Sequence, residues 1–137
     1  MDTQAEANRA LVTRYFEVIS GKAGGDLAAF FSADACWHVP QSNPMIRPNP
    51  KRGIAGVMEV LGSGVAIYAP GSLDLQLESL IADAGNVAAQ FTLQARLADG
   101  RPYDNRYFFR FRIVDGRIAE VWEYLDTLHQ QQLGTWG

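Results

Sequence analysis

The chain has 137 residues, 47% of them hydrophobic, and a net charge of −3, so we predict one globular domain over residues 1–137. The acidic balance disfavours a nucleic-acid partner, and no stretch approaches the roughly 20 apolar residues that would make the membrane a partner. Cys36 is the single cysteine, which rules out an internal disulfide, and the absence of a signal-peptide pattern predicts a cytoplasmic protein.

The first part of the chain has the apolar spacing of helices. Between positions 11 and 19 the apolar residues recur every three or four positions, which predicts a helix capped by Asp2 or Thr3. A second, short helix is predicted over 27–31, because Asp26 is a suitable N-cap immediately before it.

A short strand and a third helix are predicted next. Residues 35–40 have the composition of a strand that ends at a proline, and the prolines between 41 and 52 predict a loop. From Gly53 onward the apolar residues again follow helical spacing. This third helix is predicted to stop in the glycine-rich stretch 62–64.

The second half alternates between apolar and polar residues, as strands do. The glycine-containing turns Asp99-Gly100 and Asp115-Gly116 separate three of these segments. The four predicted strands cover residues 73–80, 87–97, 103–114 and 117–126. Helices followed by an antiparallel meander predict an α+β domain with helices on one face of a curved sheet.

The last predicted strand, residues 117–126, places a carboxylate among apolar side chains. Alternation puts Ala119, Val121, Glu123 and Leu125 on one face. A carboxylate that faces a pocket must find partners, reach water or take up a proton, and the last case gives an acid or base that works near neutral pH. A solvated edge position is the alternative, and alternation leaves both open.

The order of these segments, together with several short motifs, resembles the nuclear transport factor 2-like superfamily, in particular its SnoaL-like and ketosteroid-isomerase-like branch. The motifs are Tyr15-Phe16, Phe30-Phe31, Trp37-His-Val-Pro40, Gly53, Ile113-Val-Asp-Gly-Arg-Ile118 and Glu123-Tyr-Leu-Asp126. The resemblance implies a cone-shaped, curved antiparallel sheet wrapped around three N-terminal helices, with an apolar pocket at one end. It also implies a homodimer through the outer face of the sheet.

The resemblance carries over to the site only in part. Tyr15 matches the helix tyrosine that donates a hydrogen bond in the isomerase branch. The isomerase's base aspartate falls at Val39, which cannot take a proton, and its second donor falls near Phe109. Steroid isomerisation by that mechanism is therefore not expected.

The hydrolase and cyclase branches keep a carboxylate at the position of Glu123. In the comparison with limonene epoxide hydrolase, however, an arginine–aspartate pair falls on Gln90 and Thr92. The strand histidine of the SnoaL polyketide cyclases maps near Phe109. Only Glu123 is retained in all of these comparisons.

From the resemblance we predict that Glu123 is the catalytic acid or base and that Tyr15 polarises a ligand oxygen. The predicted substrate-binding walls are Phe31, Trp37, Val39, Asn105, Tyr107 and Phe109. No cofactor or metal is predicted, because no dinucleotide fingerprint, P-loop or metal-ligand spacing is found. The predicted function is a cofactor-free acid/base enzyme on a small apolar ring compound, and the alternative is a non-catalytic binding module with the same fold.

The sequence leaves undecided which way some side chains of the predicted sheet point and what the outer face contacts. Plain alternation leaves Gln90 and Thr92 solvated, whereas the family comparison turns them toward the pocket. His38 is predicted on the outer face, with a structural or dimer-contact role. Trp122 and Tyr124 share that outer face, where large aromatic residues favour a subunit interface.

Overall fold

A computed structural model describes residues 3–136 of the chain. Three α-helices lie within this range: α1 (Thr3–Ile19), α2 (Gly53–Ala66) and α3 (Thr127–Gln132). Six strands accompany them: β1 (Phe31–His38), β2 (Lys51–Arg52), β3 (Asp74–Ala82), β4 (Asn86–Arg96), β5 (Pro102–Val114) and β6 (Arg117–Leu125). The predicted cap at Asp2 lies outside the described residues. No described helix is both long and apolar enough to span a bilayer.

The strands form one open, curved sheet in the order β2-β1-β6-β5-β4-β3. Strands β3 to β6 form the predicted antiparallel meander. Strand β1 pairs with β6 in parallel, which is possible because a long connection separates the two in the chain. The predicted α+β architecture is confirmed, with this one parallel pairing inside the sheet.

The elements of the first half begin and end at other residues than predicted. The second helix is a single 3₁₀ turn over Leu27–Phe30, capped by the Asp26 side chain, which accepts from the Ala28 N–H at 3.1 Å. Phe31 already belongs to β1, which ends at His38, before the proline. A bulge between Phe31 and Cys36 shifts the register of β1, and this irregularity hid the strand's start from an alternation search.

Helix α2 continues through the glycines that were predicted to end it. Glycine weakens a helix by about 1 kcal/mol relative to alanine but does not forbid it. Val57, Val60 and Leu61 are buried on the inner side of α2, and their burial favours continuation. Lys51–Arg52, predicted as loop, pairs with β1 as β2 and leads directly into this helix.

The core lies between the inner face of the sheet and helix α1. Phe91 and Phe111 are buried there against Phe16, with ring centroids 5.0 and 5.8 Å away. Because inward and outward side chains alternate along β4, Gln90 is exposed and Thr92 is only partly covered. The solvated reading of these two residues is therefore correct, and the pocket-facing one is wrong.

Candidate active site

The sheet, the inner sides of α1 and α2, the loop around Met45 and the C-terminal segment enclose a cavity of about 190 Å³. Its outer rim includes the exposed side chains of Met45 and Val65, whereas Tyr15 and Trp37 at its inner end are each 2% exposed. A cavity of about 150 Å³ in another protein holds a benzene molecule, and pockets for drug-sized ligands start at about 300 Å³. This cavity therefore suits a ligand with about one ring.

Glu123 projects from β6 into this cavity, beside Phe109 on the neighbouring strand. Its Oε1 accepts a hydrogen bond from the Trp37 indole Nε1–H at 2.9 Å. Glu123 as a whole residue is half-buried, whereas its carboxyl group is buried among protein atoms. Burial raises the pKa of Glu123 to about 7, although the Trp37 hydrogen bond lowers it in part.

Tyr15 reaches the same end of the cavity from helix α1. Its ring is held edge-on by Phe30, Phe31 and Phe111, with centroids 5.7 to 5.9 Å away. Burial, and then the nearby charge of Glu123, raises the pKa of Tyr15 far above its ordinary value. The hydroxyl therefore stays protonated and available as a hydrogen-bond donor. Its predicted role toward a ligand oxygen stays a prediction.

A second cluster of polar side chains lies where Tyr68 meets Tyr103 and Tyr107 of β5. The hydroxyls of Tyr103 and Tyr107 are 2.5 Å apart, and that of Tyr68 is 3.5 Å from Tyr107. Asn105 Nδ2 donates to the Tyr103 hydroxyl at 3.3 Å and to the Asp126 carbonyl at 3.0 Å. Tyr68 and Tyr107 line the cavity, so its wall has a second cluster of hydroxyl groups.

The structure brings most of the predicted site residues together. Those that line the cavity are Tyr15, Trp37, Val39, Tyr107, Phe109 and Glu123. Phe31 and Asn105 do not line it, and their predicted contacts with a substrate stay predictions. Phe31 is packed in the core between Tyr15 and Trp37. The amide nitrogen of Asn105 donates hydrogen bonds to the Tyr103 hydroxyl and to the Asp126 carbonyl in the turn after β6.

Several residues of the site were not found from the sequence. Tyr103 lies behind the cavity wall and has the same parity as Tyr107 on β5, so alternation could have predicted that it points inward. Tyr68 follows α2 in a segment without periodicity, and Gln130 lies beyond the last predicted strand. The Gln130 Oε1 is buried without a hydrogen-bond partner among residues 3–136. Helix α3, which contributes Gln130, begins at the cap Asp126, which accepts from the His129 N–H at 2.9 Å.

The outer face of the sheet has a polar cluster of its own. His38 Nε2 is 2.5 Å from Glu120 and 3.7 Å from Cys36 Sγ, and Arg112 is 3.2 Å from Glu120. This confirms that His38 lies on the outer face. Burial alone would raise the pKa of Glu120, but hydrogen bonds from His38 and Arg112 outweigh it and lower that pKa.

The cysteine, histidine and glutamate of this outer cluster have ligand atoms within 4.8 Å of one another. Burial raises the pKa of the Cys36 thiol, and the nearby positive charges of Arg52 and Arg112 oppose that rise in part. Such neighbouring positive charge opposes a bound cation, and Arg112 already satisfies one oxygen of Glu120. We interpret the cluster as a cross-strand ion-pair network.

The family model described as SnoaL-like domain matches residues 12–121. No curated protein sequence matches the chain.

Solved structures share the fold at low sequence identity. Bal32a, from a soil-derived mobile gene cassette, superposes with a TM-score of 0.80 at 19% identity over 95% of this chain and 98% of its own. TerC, co-crystallised with polyporic acid, gives 0.79 at 16% identity over 93% and 97%. A protein from Jannaschia sp. CCS1 described as a SnoaL-like polyketide cyclase gives 0.78 at 15% identity over 100% and 95%. At these identities the likeness establishes the fold.

Proposed function

Because the chain belongs to the SnoaL-like domain family of the nuclear transport factor 2-like superfamily, we propose that it is a cofactor-free acid/base enzyme. Its substrate is a small, largely apolar ring compound with a carbonyl or hydroxyl oxygen. The single observation that carries this proposal is Glu123, a carboxyl group with a pKa of about 7 in an apolar cavity. An acid or base is most effective when its pKa lies near the working pH.

The proposed chemistry uses both protonation states of Glu123. Near pH 7 a group with this pKa divides between the two states, so it can remove a proton at one substrate atom and return it at another. Trp37 donates a hydrogen bond to Oε1, and Oε2, which has no hydrogen-bond partner among residues 3–136, can contact the substrate. Isomerisation, ring closure and dehydration each need such a proton transfer, and the aromatic walls limit access of competing water.

Substrate size and class are supported by two separate observations. The cavity of about 190 Å³ favours a single ring over a fused polycyclic compound. Among the structural neighbours, one is described as a polyketide cyclase and one was crystallised with polyporic acid. Those names support an oxygen-bearing organic ligand for this chain, and the substrate itself stays a proposal.

A panel of one-ring compounds tests this function. We expect the protein to exchange the α-protons of a ring ketone with solvent deuterium, or to open or isomerise a cyclic epoxide or enone, which NMR detects. The dependence of kcat/KM on pH should have an inflection near 7, because Glu123 changes protonation there. Binding of panel members without any turnover would contradict the enzyme proposal.

A non-catalytic binding module is the second candidate, and one observation favours it. Among the described residues that line the cavity, Glu123 is the sole carboxylate, without a second acid or base beside it. A cavity that only binds would retain ring ligands unchanged. The same panel separates the two, since tight binding without exchange, opening or isomerisation supports the module.

We also propose that the outer face of the sheet forms a homodimer. Phe108 and Tyr124 are cross-strand neighbours there, with 46% and 58% of their surfaces exposed, and exposed aromatic pairs are typical of interfaces. Tyr124→Lys is expected to reduce the mass measured by light scattering from a dimer to a monomer. Leu128→Lys, at an exposed position on α3, is the matched control, and an unchanged mass for Tyr124→Lys would contradict the proposal.

A further inference from the structure

Gln130 on helix α3 is a buried residue whose side-chain oxygen has no hydrogen-bond partner. Among residues 3–136, three amide side chains are buried, those of Asn8, Asn105 and Gln130. Asn8 and Asn105 use their amides in hydrogen bonds within the protein. Gln130 is only 8% exposed, yet its Oε1 meets no donor in that part of the chain. Because buried polar atoms are nearly always hydrogen-bonded, this oxygen indicates a partner from outside the chain.

The backbone of Gln130 is fixed on both sides, so its position is not that of a loose chain end. Its N–H donates to the Asp126 carbonyl at 3.0 Å, and the Asn105 side chain donates to the same carbonyl at 3.0 Å. The Gln130 carbonyl in turn accepts from the Thr135 hydroxyl at 3.2 Å. Strand β5 thus holds the start of α3 through Asn105, and this contact positions Gln130.

Gln130 lines the same cavity as Glu123, together with Thr135 and Trp136 of the C-terminal segment. The terminal torsion of a glutamine side chain is soft, so the amide can turn its oxygen toward the cavity at little cost. An occupant with a hydrogen-bond donor would satisfy this oxygen, whereas an apolar occupant would leave it without a partner. A site with a buried polar group discriminates against ligands that lack the matching group.

We propose that Gln130 accepts a hydrogen bond from a hydroxyl group of the ring ligand and thereby selects hydroxylated ligands. The proposal rests on the proposed function for the presence of a ligand, and it adds a second polar substituent to that ligand, apart from the atom at which Glu123 acts. A ketone or ether oxygen has lone pairs only and cannot donate to Oε1, whereas a hydroxyl can. Gln130 is thus a specificity residue and takes no part in the proton transfer.

Two one-ring probes test this proposal by binding alone. 4-Hydroxyacetophenone and 4-methylacetophenone share the ring and the ketone, and they differ in a hydroxyl against a methyl group of similar size. We expect the wild type to bind the hydroxyl probe more tightly at pH 6.5, where that hydroxyl is not ionised. Gln130→Met keeps the length of the side chain and removes its amide, so it should lower the preference for the hydroxyl probe about tenfold. Titration calorimetry measures the dissociation constants.

A second readout follows the wild-type protein itself. The side-chain carbonyl carbon of Gln130 gives an NMR signal that responds to a hydrogen bond at its oxygen. We expect this signal to move further on binding of the hydroxyl probe than on binding of the methyl probe. Equal movement with both probes would contradict a hydrogen bond from the hydroxyl group.

The matched control is Gln131→Met, because Gln131 is the next residue of α3 and its side chain is exposed. This variant should keep the wild-type preference. The melting temperature of ligand-free Gln130→Met should be no lower than that of the wild type, since the lost amide oxygen bonds to nothing in the described chain. A lower melting temperature with an unchanged preference would show a structural role and overturn the proposal. It is also overturned if the wild type binds the methyl probe as tightly as the hydroxyl probe.

Turnover separates this proposal from that of an enzyme. A protein that converts no panel compound but shows a preference that depends on Gln130 contradicts the enzyme proposal and supports this one. A protein that converts panel compounds while Gln130→Met keeps the wild-type preference supports the enzyme proposal and overturns this one.

Discussion

Replacing Glu123 with glutamine is expected to lower turnover by about 10²- to 10⁴-fold, with little change in ligand affinity. Glutamine has the same shape, and its amide oxygen still accepts the hydrogen bond from Trp37. It cannot take up a proton, so the variant retains the cavity and loses the proton transfer. Single-turnover rates and dissociation constants for an active panel compound measure the two effects separately.

A surface variant provides the matched control for this result. Glu59 pairs with Lys51 on the outside of the protein, and its side chain is largely exposed. Glu59→Gln removes the same charge and should leave turnover at the wild-type level. If Glu123→Gln also retains turnover within about tenfold of wild type, Glu123 is not the acid or base.

The same substitution is expected to stabilise the protein at high pH. The folded state holds the pKa of Glu123 at about 7, above its ordinary value of 4.5. The stability that this carboxyl contributes is therefore complete below about pH 4.5 and is lost as pH rises through 7. Above pH 8, Glu123→Gln should raise the free energy of unfolding by roughly 3 kcal/mol, because each tenfold change in proton affinity between the folded and unfolded states corresponds to about 1.4 kcal/mol and the rise from 4.5 to about 7 spans between two and three such changes.

Urea unfolding at several pH values measures this effect. The curves of wild type and Glu123→Gln should nearly coincide at pH 4.5, where the carboxyl is largely neutral in the folded state and only half ionised in the unfolded state. They should separate as the pH rises from 6 to 8.5, with the variant more stable. Glu59→Gln should run parallel to wild type throughout, and a Glu123→Gln curve that does the same would show that Glu123 is not perturbed.

Strand alternation predicted which residues of the regular strands share a face at the site. The parity of β6 put Glu123 on one face with Ala119 and Val121, and the parity of β5 put Tyr107 on one face with Phe109. The family comparison then predicted that Glu123 lies on the inner wall. Alternation also contained the position of Tyr103, which the family comparison did not single out. The family comparison predicted that Gln90 faces the pocket, which is wrong because β4 turns that side chain outward.

The remaining features depend on contacts between distant parts of the chain. Trp37 was predicted only as a wall, yet its indole donates to Glu123 from 86 positions away. The bulge in β1 breaks alternation before Trp37, so parity could not orient Phe31. Tyr68 reaches the cavity because α2 continues past its glycines, which helix-stop signals argued against.

These contacts change the status of the central carboxyl group. The family comparison removed the partners that related enzymes use, which left Glu123 nearly alone. The structure supplies one direct partner in Trp37 and a separate cluster of hydroxyls at Tyr68 and Tyr107. An enclosed carboxyl with a single donor keeps a raised pKa, whereas several donors would have lowered it.

The pH titration of the Glu123 carboxyl carbon by NMR tests this account most directly. Glutamate labelled with ¹³C at the carboxyl gives one signal for each residue, and the signal missing from Glu123→Gln assigns the one of interest. We predict that this signal titrates with a pKa of about 7, apart from the exposed glutamates. A midpoint near the ordinary value of 4.5 would contradict the assignment of Glu123 as the acid or base.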